Sequence, residues 1–272
     1  MYLVIFCLFL HSLIFCDQFD FSNAKALHGY NIQHASVNEF PFIVSIQISL
    51  QKESAPFHIC TGVLVSRIHV VFAEHCLEEQ QYKYSVLVVK SIKSQKRLSH
   101  ATCWMITYNQ WCKQKSITMQ YQTNDIAIFK LAQAVDNHVN PALISNIPNN
   151  FLYGLNVTIA SWDKTNYNED SITINYGYVT VLTDSECENQ CSEILGEKVT
   201  LPTIMLCTAV KPYVLLNIED SGGPLLYNGV FIGLNAGSCP CEDAVYHPRK
   251  LNIHFSINYY KNFIIDIKEN CI

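Results

Sequence analysis

The sequence predicts an all-β fold, either a barrel or a sandwich, that ends in a single helix. Short runs rich in Val, Ile, Phe and Tyr recur along the chain, and polar, Gly, Asn or Pro residues bound each run. These runs lie at 41–50, 60–65, 68–73, 84–89, 125–131, 156–162, 176–182, 223–227 and 230–236. Many short strands without intervening helical periods are typical of antiparallel barrels and sandwiches.

The predicted helix lies at the end of the chain. Apolar side chains recur there at spacings of three and four, at Ile257, Tyr260, Phe263, Ile264 and Ile267. This spacing forms one apolar face of an α-helix, so it predicts an amphipathic helix that closes the chain.

The composition argues against several classes of protein. Hydrophobic residues make up 49% of the 272 residues and charged residues 15%, which excludes an intrinsically disordered chain. The net charge of −5 is unlike that of a basic nucleic-acid-binding protein, so we predict no nucleic-acid partner. The Cys239-Pro240-Cys241 motif has no second Cys or His pair at zinc-site spacing, so we predict neither a metal nor a cofactor.

Residues 1–16 indicate a signal peptide. They carry no charged side chain, and their apolar run is too short to span a bilayer comfortably, although a membrane anchor is the alternative. No later stretch has 18 uninterrupted apolar residues, so we predict a secreted, extracellular chain with no membrane association. Removal of Cys7 and Cys16 leaves ten of the twelve cysteines, an even number suited to five disulfides in an oxidising compartment.

Three side chains have the types and the order that nucleophilic acyl transfer requires. His75 follows a pair of strands, Asp125 opens an apolar strand, and Ser221 lies in a tight Gly-rich turn. A serine hydroxyl becomes a good nucleophile when a neutral imidazole takes its proton, and a buried carboxylate fixes the tautomer of that imidazole. The sequence therefore predicts a His-Asp-Ser catalytic triad.

The segments around these residues resemble the trypsin/chymotrypsin family of secreted serine proteases, peptidase family S1. The resemblance is carried by FPFIVSIQI (40–48), HICTGVLVSRIHVVFAEHC (58–76), NDIAIFKL (124–131), NVTIASW (156–162), DSGGP (220–224) and NYYKNFI (258–264). It covers about residues 26–269 and implies two packed six-stranded antiparallel β-barrels with the active site in the cleft between them. The first barrel would span about 26–145 and the second about 146–272.

The resemblance also implies a role for each site residue. His75 would be the general base, Asp125 would orient it, and Ser221 would be the nucleophile. The backbone amides of Glu219 and Ser221 would form the oxyanion hole, with the Glu219 side chain projecting toward the cleft.

Two disulfides are implied in the same way. They are Cys60–Cys76 and Cys187–Cys207. Asn217 stands where the family has a further cysteine that braces the specificity pocket. Of the other cysteines, Cys103 and Cys112 are expected to bridge a loop near the cleft, which leaves four to pair among themselves: Cys191, Cys239, Cys241 and Cys271.

Members of the family are activated by a cleavage whose new amine pairs with the carboxylate just before the nucleophile, which is Asp220. We predict a propeptide at 17–25, cleavage after Lys25 and a mature domain that begins at Ala26. A gapless alignment would instead place Gly29 at the new terminus, but no basic residue precedes it.

The departures from the family lie where a substrate would bind. Glu219 replaces an oxyanion-hole glycine, and Leu215 lies where trypsins carry the aspartate that binds Lys or Arg. Ser238 replaces a residue that lines the substrate backbone, and Asn252, or in another alignment Ala244, replaces a pocket-wall glycine. We expect a narrowed substrate pocket without a preference for basic residues.

Two functions follow from these residues. The first is a secreted serine endopeptidase without Lys/Arg specificity, which acts on a protein or peptide substrate. The alternative is a protease homologue with little or no activity that binds a protein partner or acts as a decoy. We expect a monomer in either case, and Asn156-Val157-Thr158 is a candidate glycosylation site at Asn156.

Overall fold

The predicted all-β fold is confirmed: the chain forms two closed six-stranded antiparallel barrels, with a helix at its C-terminal end. The computed structural model describes residues 27–36, 38–49, 56–77, 83–89, 97–162, 174–239 and 249–270. The predicted signal peptide, the propeptide and Ala26 lie outside the described residues.

The first barrel closes around an apolar interior. Its strands are β3 (Ile43–Ser49), β4 (Phe57–Leu64), β5 (His69–Phe72), β6 (Lys83–Val89), β7 (Arg97–Thr107) and β8 (Ala127–Leu131). They pair in the order β3-β4-β5-β8-β7-β6, and β6 returns to pair with β3. Inside, the rings of Phe72 and Phe129 stack with 4.1 Å between their centroids.

The second barrel holds the strands on either side of Ser221. Its strands are β10 (Asn156–Trp162), β11 (Ile174–Val181), β12 (Met205–Ala209), β14 (Pro224–Tyr227), β15 (Val230–Cys239) and β16 (Leu251–Ser256). They pair in the order β10-β14-β15-β16-β12-β11, and β11 returns to β10.

Four two-residue strands add to the six strands of each barrel. They are β1 (His28–Gly29), β2 (Gln33–His34), β9 (Leu143–Ile144) and β13 (Val214–Leu215). Strand β1 pairs with β13, β2 with β11 and β9 with β15. Residues 33–34 and 143–144 therefore pair with strands of the second barrel, whereas residues 28–29 pair in a separate two-stranded sheet.

The predicted C-terminal helix spans Ile257–Asn270. All five side chains of its predicted apolar face are buried, as an amphipathic helix requires. Its Asp266 carboxylate accepts a 2.7 Å hydrogen bond from Trp111 Nε1, which anchors it to an earlier helix. Among the described residues, no helix has both the length and the apolar character needed to cross a membrane.

Two further helices contradict the expectation of strands without intervening helices. They are α1 (Tyr108–Lys115) and α2 (Asp184–Leu195), so the C-terminal helix is α3. Each begins with a capping box, in which a threonine and a residue three positions later exchange side chain-to-backbone hydrogen bonds. The pairs are Thr107 with Gln110, and Thr183 with Glu186. These local signals start a helix where the apolar periodicity is weak.

The two barrels meet at Thr61 on β4. Its N–H donates a 2.9 Å hydrogen bond to the carbonyl of Ser221, and its hydroxyl accepts one of 3.1 Å from the Trp162 N–H. Gly222 lies against the same strand with φ +80°, and a Cβ on it would lie 2.2 Å from the Thr61 carbonyl oxygen. The contact therefore requires glycine at 222 for both conformation and space.

A pair of glycine substitutions tests this contact. Gly229 also has positive φ, +77°, but a Cβ there meets nothing within 4 Å. Gly229→Ala should therefore be destabilised by backbone strain alone, which should lower the melting temperature by about 2–4 °C. Gly222→Ala adds the clash with Thr61 and should lower it by about 10 °C or more. Thermal unfolding followed by circular dichroism measures both, and equal losses would contradict the assigned barrel contact.

Candidate active site

His75 and Asp125 form a doubly hydrogen-bonded pair. His75 lies in a short 3-10 helix, Glu74–Cys76, directly after β5, and Asp125 precedes β8. The Asp125 carboxylate accepts a 2.7 Å hydrogen bond from the imidazole Nδ1 and a 2.8 Å hydrogen bond from the His75 backbone N–H. Because Nδ1 carries the proton toward Asp125, Nε2 is the unprotonated nitrogen of the neutral ring.

The loop that carries Asp125 is held by its neighbour Asn124. The Asn124 side chain donates a 2.7 Å hydrogen bond to the Tyr121 carbonyl and accepts one of 3.1 Å from the hydroxyl of Tyr260 on α3. The C-terminal helix thereby fixes the position of a residue next to Asp125, which itself is 3% exposed.

The protonation of His75 depends on two opposing effects. Burial lowers the pKa of His75, but the charge of Asp125 and its hydrogen bond raise it, and the net result is a pKa above the usual 6.5. Glu74 is a second carboxyl in this region. Burial, followed by the charge of Asp125, raises the pKa of Glu74 to about 7, while a hydrogen bond from Thr107 opposes the rise.

Ser221 is joined to the His75 segment through β4. Thr61 donates to the Ser221 carbonyl, and the residue before it, Cys60, is disulfide-bonded to Cys76, the neighbour of His75. A ring nitrogen of His75 lies within 4.8 Å of both sulfurs. Because the sulfurs are bonded to each other, this cluster offers no thiolate for a metal.

The backbone around Ser221 forms a tight turn. Residues Ile218–Asp220 form a 3-10 turn, which we call the nucleophile turn, and the Ser221 N–H donates a 3.1 Å hydrogen bond to the Ile218 carbonyl. The amide that was predicted to hold an oxyanion is therefore already engaged. The Ile218 oxygen, itself partially negative, takes the hydrogen bond that an oxyanion would accept.

Asn217 stabilises the nucleophile turn as its cap. Its side-chain oxygen accepts a 2.7 Å hydrogen bond from the Ile218 N–H, and its own N–H donates a 2.7 Å bond to the Asp220 carboxylate. From the sequence, Asn217 was notable only as the replacement of a cysteine. Asparagine is among the best residues for this capping role.

Glu219 explains why the turn has this conformation. The described non-glycine residues with positive φ are Asn31, Asn38, Ser116 and Asn228, and Glu219 is not one of them. A glycine could take the left-handed conformation at no steric cost, whereas glutamate favours the helical one. Glu219 is 1% exposed, so its side chain is buried in the structure.

Asp220 receives three hydrogen bonds in a fully buried position. Its carboxylate accepts from the Leu27 N–H at 3.0 Å, from the Asn217 N–H and from the hydroxyl of Ser161. Burial is the largest influence and raises the pKa of Asp220 to about 7, although these three bonds lower it and the charge of Glu219 raises it further. Leu27 is the described residue whose backbone nitrogen reaches Asp220, and the predicted terminus, Ala26, lies outside the described residues.

Two of the three predicted pocket residues lie on paired strands, and the third lies on β13, which the Asn252 side chain contacts. Ser238 on β15 pairs with Asn252 on β16, and Leu215 on β13 is 3% exposed. The Asn252 carboxamide is fully buried. It donates a 2.9 Å hydrogen bond to the Val214 carbonyl and accepts a 2.8 Å hydrogen bond from the Leu216 N–H. Asn252 therefore closes the space between β16 and β13. Ala244, the alternative residue, lies outside the described residues.

A buried polar network behind this pocket was missed in the sequence. The His254 ring forms hydrogen bonds of 2.9 Å with Asn235 and with Thr208. Asn235 also donates a 3.1 Å hydrogen bond to the Ala160 carbonyl. Burial lowers the pKa of His254 to about 3, so the ring is neutral. The sequence carried a sign of this network, because His254 and Asn235 are polar residues within otherwise apolar strands.

The remaining predicted positions have mixed outcomes. Cys60–Cys76 and Cys187–Cys207 are both present as disulfides. The expected bridge between Cys103 and Cys112 is wrong, because Cys103 is exposed, Cys112 is buried on α1, and both are free thiols. Asn156 is exposed at the start of β10, and its side chain accepts a 2.9 Å hydrogen bond from the Thr180 hydroxyl. Cys241 and Cys271 lie outside the described residues.

Comparisons with known proteins agree with this fold. The family model "Trypsin" matches residues 30–264. Trypsin delta of Drosophila melanogaster is 27% identical over 213 residues, which cover 78% of each chain. A trypsin of Phaedon cochleariae is 27% identical over 261 residues, covering 89% of this chain and 88% of its own.

A solved structure matches the two-barrel fold. It is that of neuropsin, described as a serine protease expressed in the limbic system of mouse brain. The TM-score is 0.64 with 22% identity, over 88% of this chain and 99% of neuropsin. The two barrels and the family match over residues 30–264 together establish that the chain belongs to the trypsin family.

Proposed function

We propose that the chain is a secreted serine-type endopeptidase with a constrained active site, which cleaves protein or peptide substrates without a preference for Lys or Arg. The observation that carries this proposal is the pair of hydrogen bonds, 2.7 and 2.8 Å, by which Asp125 holds His75. A carboxylate that is 3% exposed and aligned on an imidazole in this way supports general-base chemistry at Nε2.

Each residue has one task in the proposed reaction. His75 Nε2 takes the proton from Ser221 Oγ as that oxygen attacks the scissile carbonyl, and Asp125 stabilises the imidazolium. His75 then gives the proton to the leaving amine, and an acyl group remains on Ser221. Water, deprotonated by His75 in the same way, releases the acid and restores the serine.

The substrate residue before the scissile bond should be small and uncharged. Leu215 offers no carboxylate to an incoming ammonium or guanidinium, and burial of such a charge without a partner costs several kcal/mol. Asn252 occupies the space that a long side chain would need, with both ends of its carboxamide bonded to the β13 segment.

The oxyanion position limits the rate in this proposal. Loss of one oxyanion donor costs about 100- to 1,000-fold in kcat in serine proteases. Because the Ser221 N–H bonds Ile218 at 3.1 Å, a developing oxyanion must first displace that carbonyl. The resting enzyme should therefore turn over slowly.

The second candidate function is a binding or decoy protein of the trypsin fold. Two specific contacts favour it: the engaged Ser221 N–H and the Asn252 carboxamide between the pocket walls. Both would obstruct a substrate in the cleft while they leave the outer surface available to a protein partner.

For activation, we propose that the functional terminus is Leu27. A free amine at Leu27 would lie where its N–H now meets Asp220, and a positive charge there would lower the raised pKa of Asp220. A terminus at Ala26 would place the amine one residue further along. Leu27 is also buried, as a terminal apolar side chain in an activation pocket should be.

Covalent labelling of Ser221 by a fluorophosphonate tests the proposed function. In this reaction the serine oxygen displaces fluoride from phosphorus and needs His75 as a base. We expect labelling of a chain that starts at Leu27, slower labelling of one that starts at Ala26, and none with Ser221→Ala or His75→Ala. The rate should rise with pH, with a midpoint above 6.5, since His75 must lose a proton whose pKa is raised. No labelling of either chain at any pH would exclude the peptidase and favour the binding protein.

The pocket assignment has its own test in Asn252→Gly. Removal of the carboxamide should open an apolar cavity beside Leu215, so that cleavage extends from small residues to larger apolar ones before the scissile bond. A peptide library scored by mass spectrometry measures this preference. Leu215→Asp in the Asn252→Gly background is the control, and it should add cleavage after Lys or Arg. An unchanged profile in both variants would show that these residues do not line the substrate pocket.

A further inference from the structure

Two buried cysteines of the second barrel face each other without a bond between them. Cys191 lies on α2 and is fully buried, and Cys239 is the last residue of β15 and is 5% exposed. Both are free thiols, and their side chains are hydrogen-bonded to each other. The predicted disulfides of the family resemblance leave both unassigned.

The helix side of this contact is already fixed by a disulfide. Cys187 lies four residues before Cys191, and residues four apart share one face of a helix with an axial rise of about 6 Å. Cys187 is bonded to Cys207 on β12. The face of α2 that carries Cys191 is therefore held against the barrel independently of Cys191 itself.

The sheet side has a matching spacing. Cys207 pairs with Ile253 on β16, and Cys239 pairs with Leu251 on the same strand. Leu251 and Ile253 are two residues apart, so they and their cross-strand partners lie on one face of the sheet, with about 7 Å between the two levels. Cys191 thus meets Cys239 at the level of Leu251, as Cys187 meets Cys207 at the level of Ile253.

Side-chain contacts around the pair hold the helix in the same place. The Gln190 side chain donates to the carbonyl of Arg249, two residues before β16 begins. The Arg249 guanidinium forms a 2.6 Å salt bridge with Glu193. These contacts flank Cys191 in sequence and bring α2 to the end of β16 that lies beside Cys239.

We propose that Cys191 and Cys239 form a third disulfide in the mature protein, which links α2 to the end of β15. The reaction is thiol–disulfide exchange with a low-molecular-weight disulfide such as oxidised glutathione. One cysteine attacks it and releases one thiol, and the other cysteine then displaces the second thiol to close the S–S bond. Two protein thiols are oxidised, and one small disulfide is reduced to two thiols.

The bond forms while the chain folds and not afterwards. The hydrogen bond with Cys239 and then burial raise the pKa of Cys191 in the folded chain, so little of its thiolate is present to attack. The bridge is consequently structural. It anchors Cys239, and with it Ser238, the residue that pairs with Asn252 at the proposed pocket.

The proposed disulfide would stabilise a region in which a cysteine of the family is absent. Asn217 stands where the family resemblance implies a cysteine, and it caps the nucleophile turn instead. The end of β15, which carries Ser238, would then be linked covalently to α2. This inference depends on the packing of α2 and holds whether or not Ser221 is catalytic.

Peptide mapping of the full chain, refolded with oxidised and reduced glutathione, tests the bond. Because Cys241 lies close to Cys239 on the same peptide, the Cys241→Ser variant is mapped beside the wild type. We expect a Cys191–Cys239 cross-linked peptide in both. Linkage of Cys191 to Cys241 or Cys271 in the wild type, or alkylation of Cys191 after unfolding, would overturn the proposal.

Melting temperatures give a second measurement. Cys191→Ser/Cys239→Ser should melt about 5–10 °C below the wild type, and either single variant should lose as much, because each removes the same bond. Cys103→Ser is the matched control: this thiol is exposed and free, so its removal should change nothing. A double variant as stable as the wild type would contradict the bridge.

Discussion

The hydrogen bond between the Ser221 N–H and the Ile218 carbonyl determines how the rest of the site can be used. It exists because residue 219 is glutamate, which favours a helical backbone, and because Asn217 caps the resulting turn. The same turn positions Asp220, whose carboxylate accepts from Leu27 and Asn217. One backbone conformation therefore connects the proposed nucleophile, the proposed activation pocket and the proposed oxyanion position.

The two barrels contribute different halves of this arrangement. The first barrel carries the hydrogen-bonded pair of His75 and Asp125, and the second carries Ser221 and the pocket strands. Thr61 joins them through backbone and hydroxyl bonds next to the Cys60–Cys76 disulfide. The proposed reaction depends on this junction, since a small shift of one barrel moves the base away from the nucleophile.

The sequence was sufficient for the fold and for the family, because strand composition and contiguous motifs report on them directly. It did not predict α1 and α2, whose evidence is two short capping boxes rather than apolar periodicity. The bridge between Cys103 and Cys112 failed because one cysteine points to solvent and the other into the core. Cysteine spacing carries no information on such orientation.

The state of the oxyanion position was also beyond the sequence. Glu219 was recognisable as a departure, but its effect is exerted through a backbone hydrogen bond of its neighbours and not through its own carboxylate. Asn252 was recognisable as a larger residue in place of a glycine, yet the two backbone groups that hold its carboxamide become partners only through strand pairing and the course of the 214–216 segment. Both effects depend on contacts between segments that are distant in sequence.

The most direct test of this account is the specificity constant of Glu219→Gly on a small ester substrate, which needs little of the altered pocket. Glycine should allow the turn to reopen and free the Ser221 N–H, so kcat/KM should rise between several-fold and about 100-fold. Ser221→Ala in the same background must abolish the gain. An unchanged kcat/KM in a variant whose Ser221 still reacts with a fluorophosphonate would contradict the claim that the nucleophile turn limits catalysis.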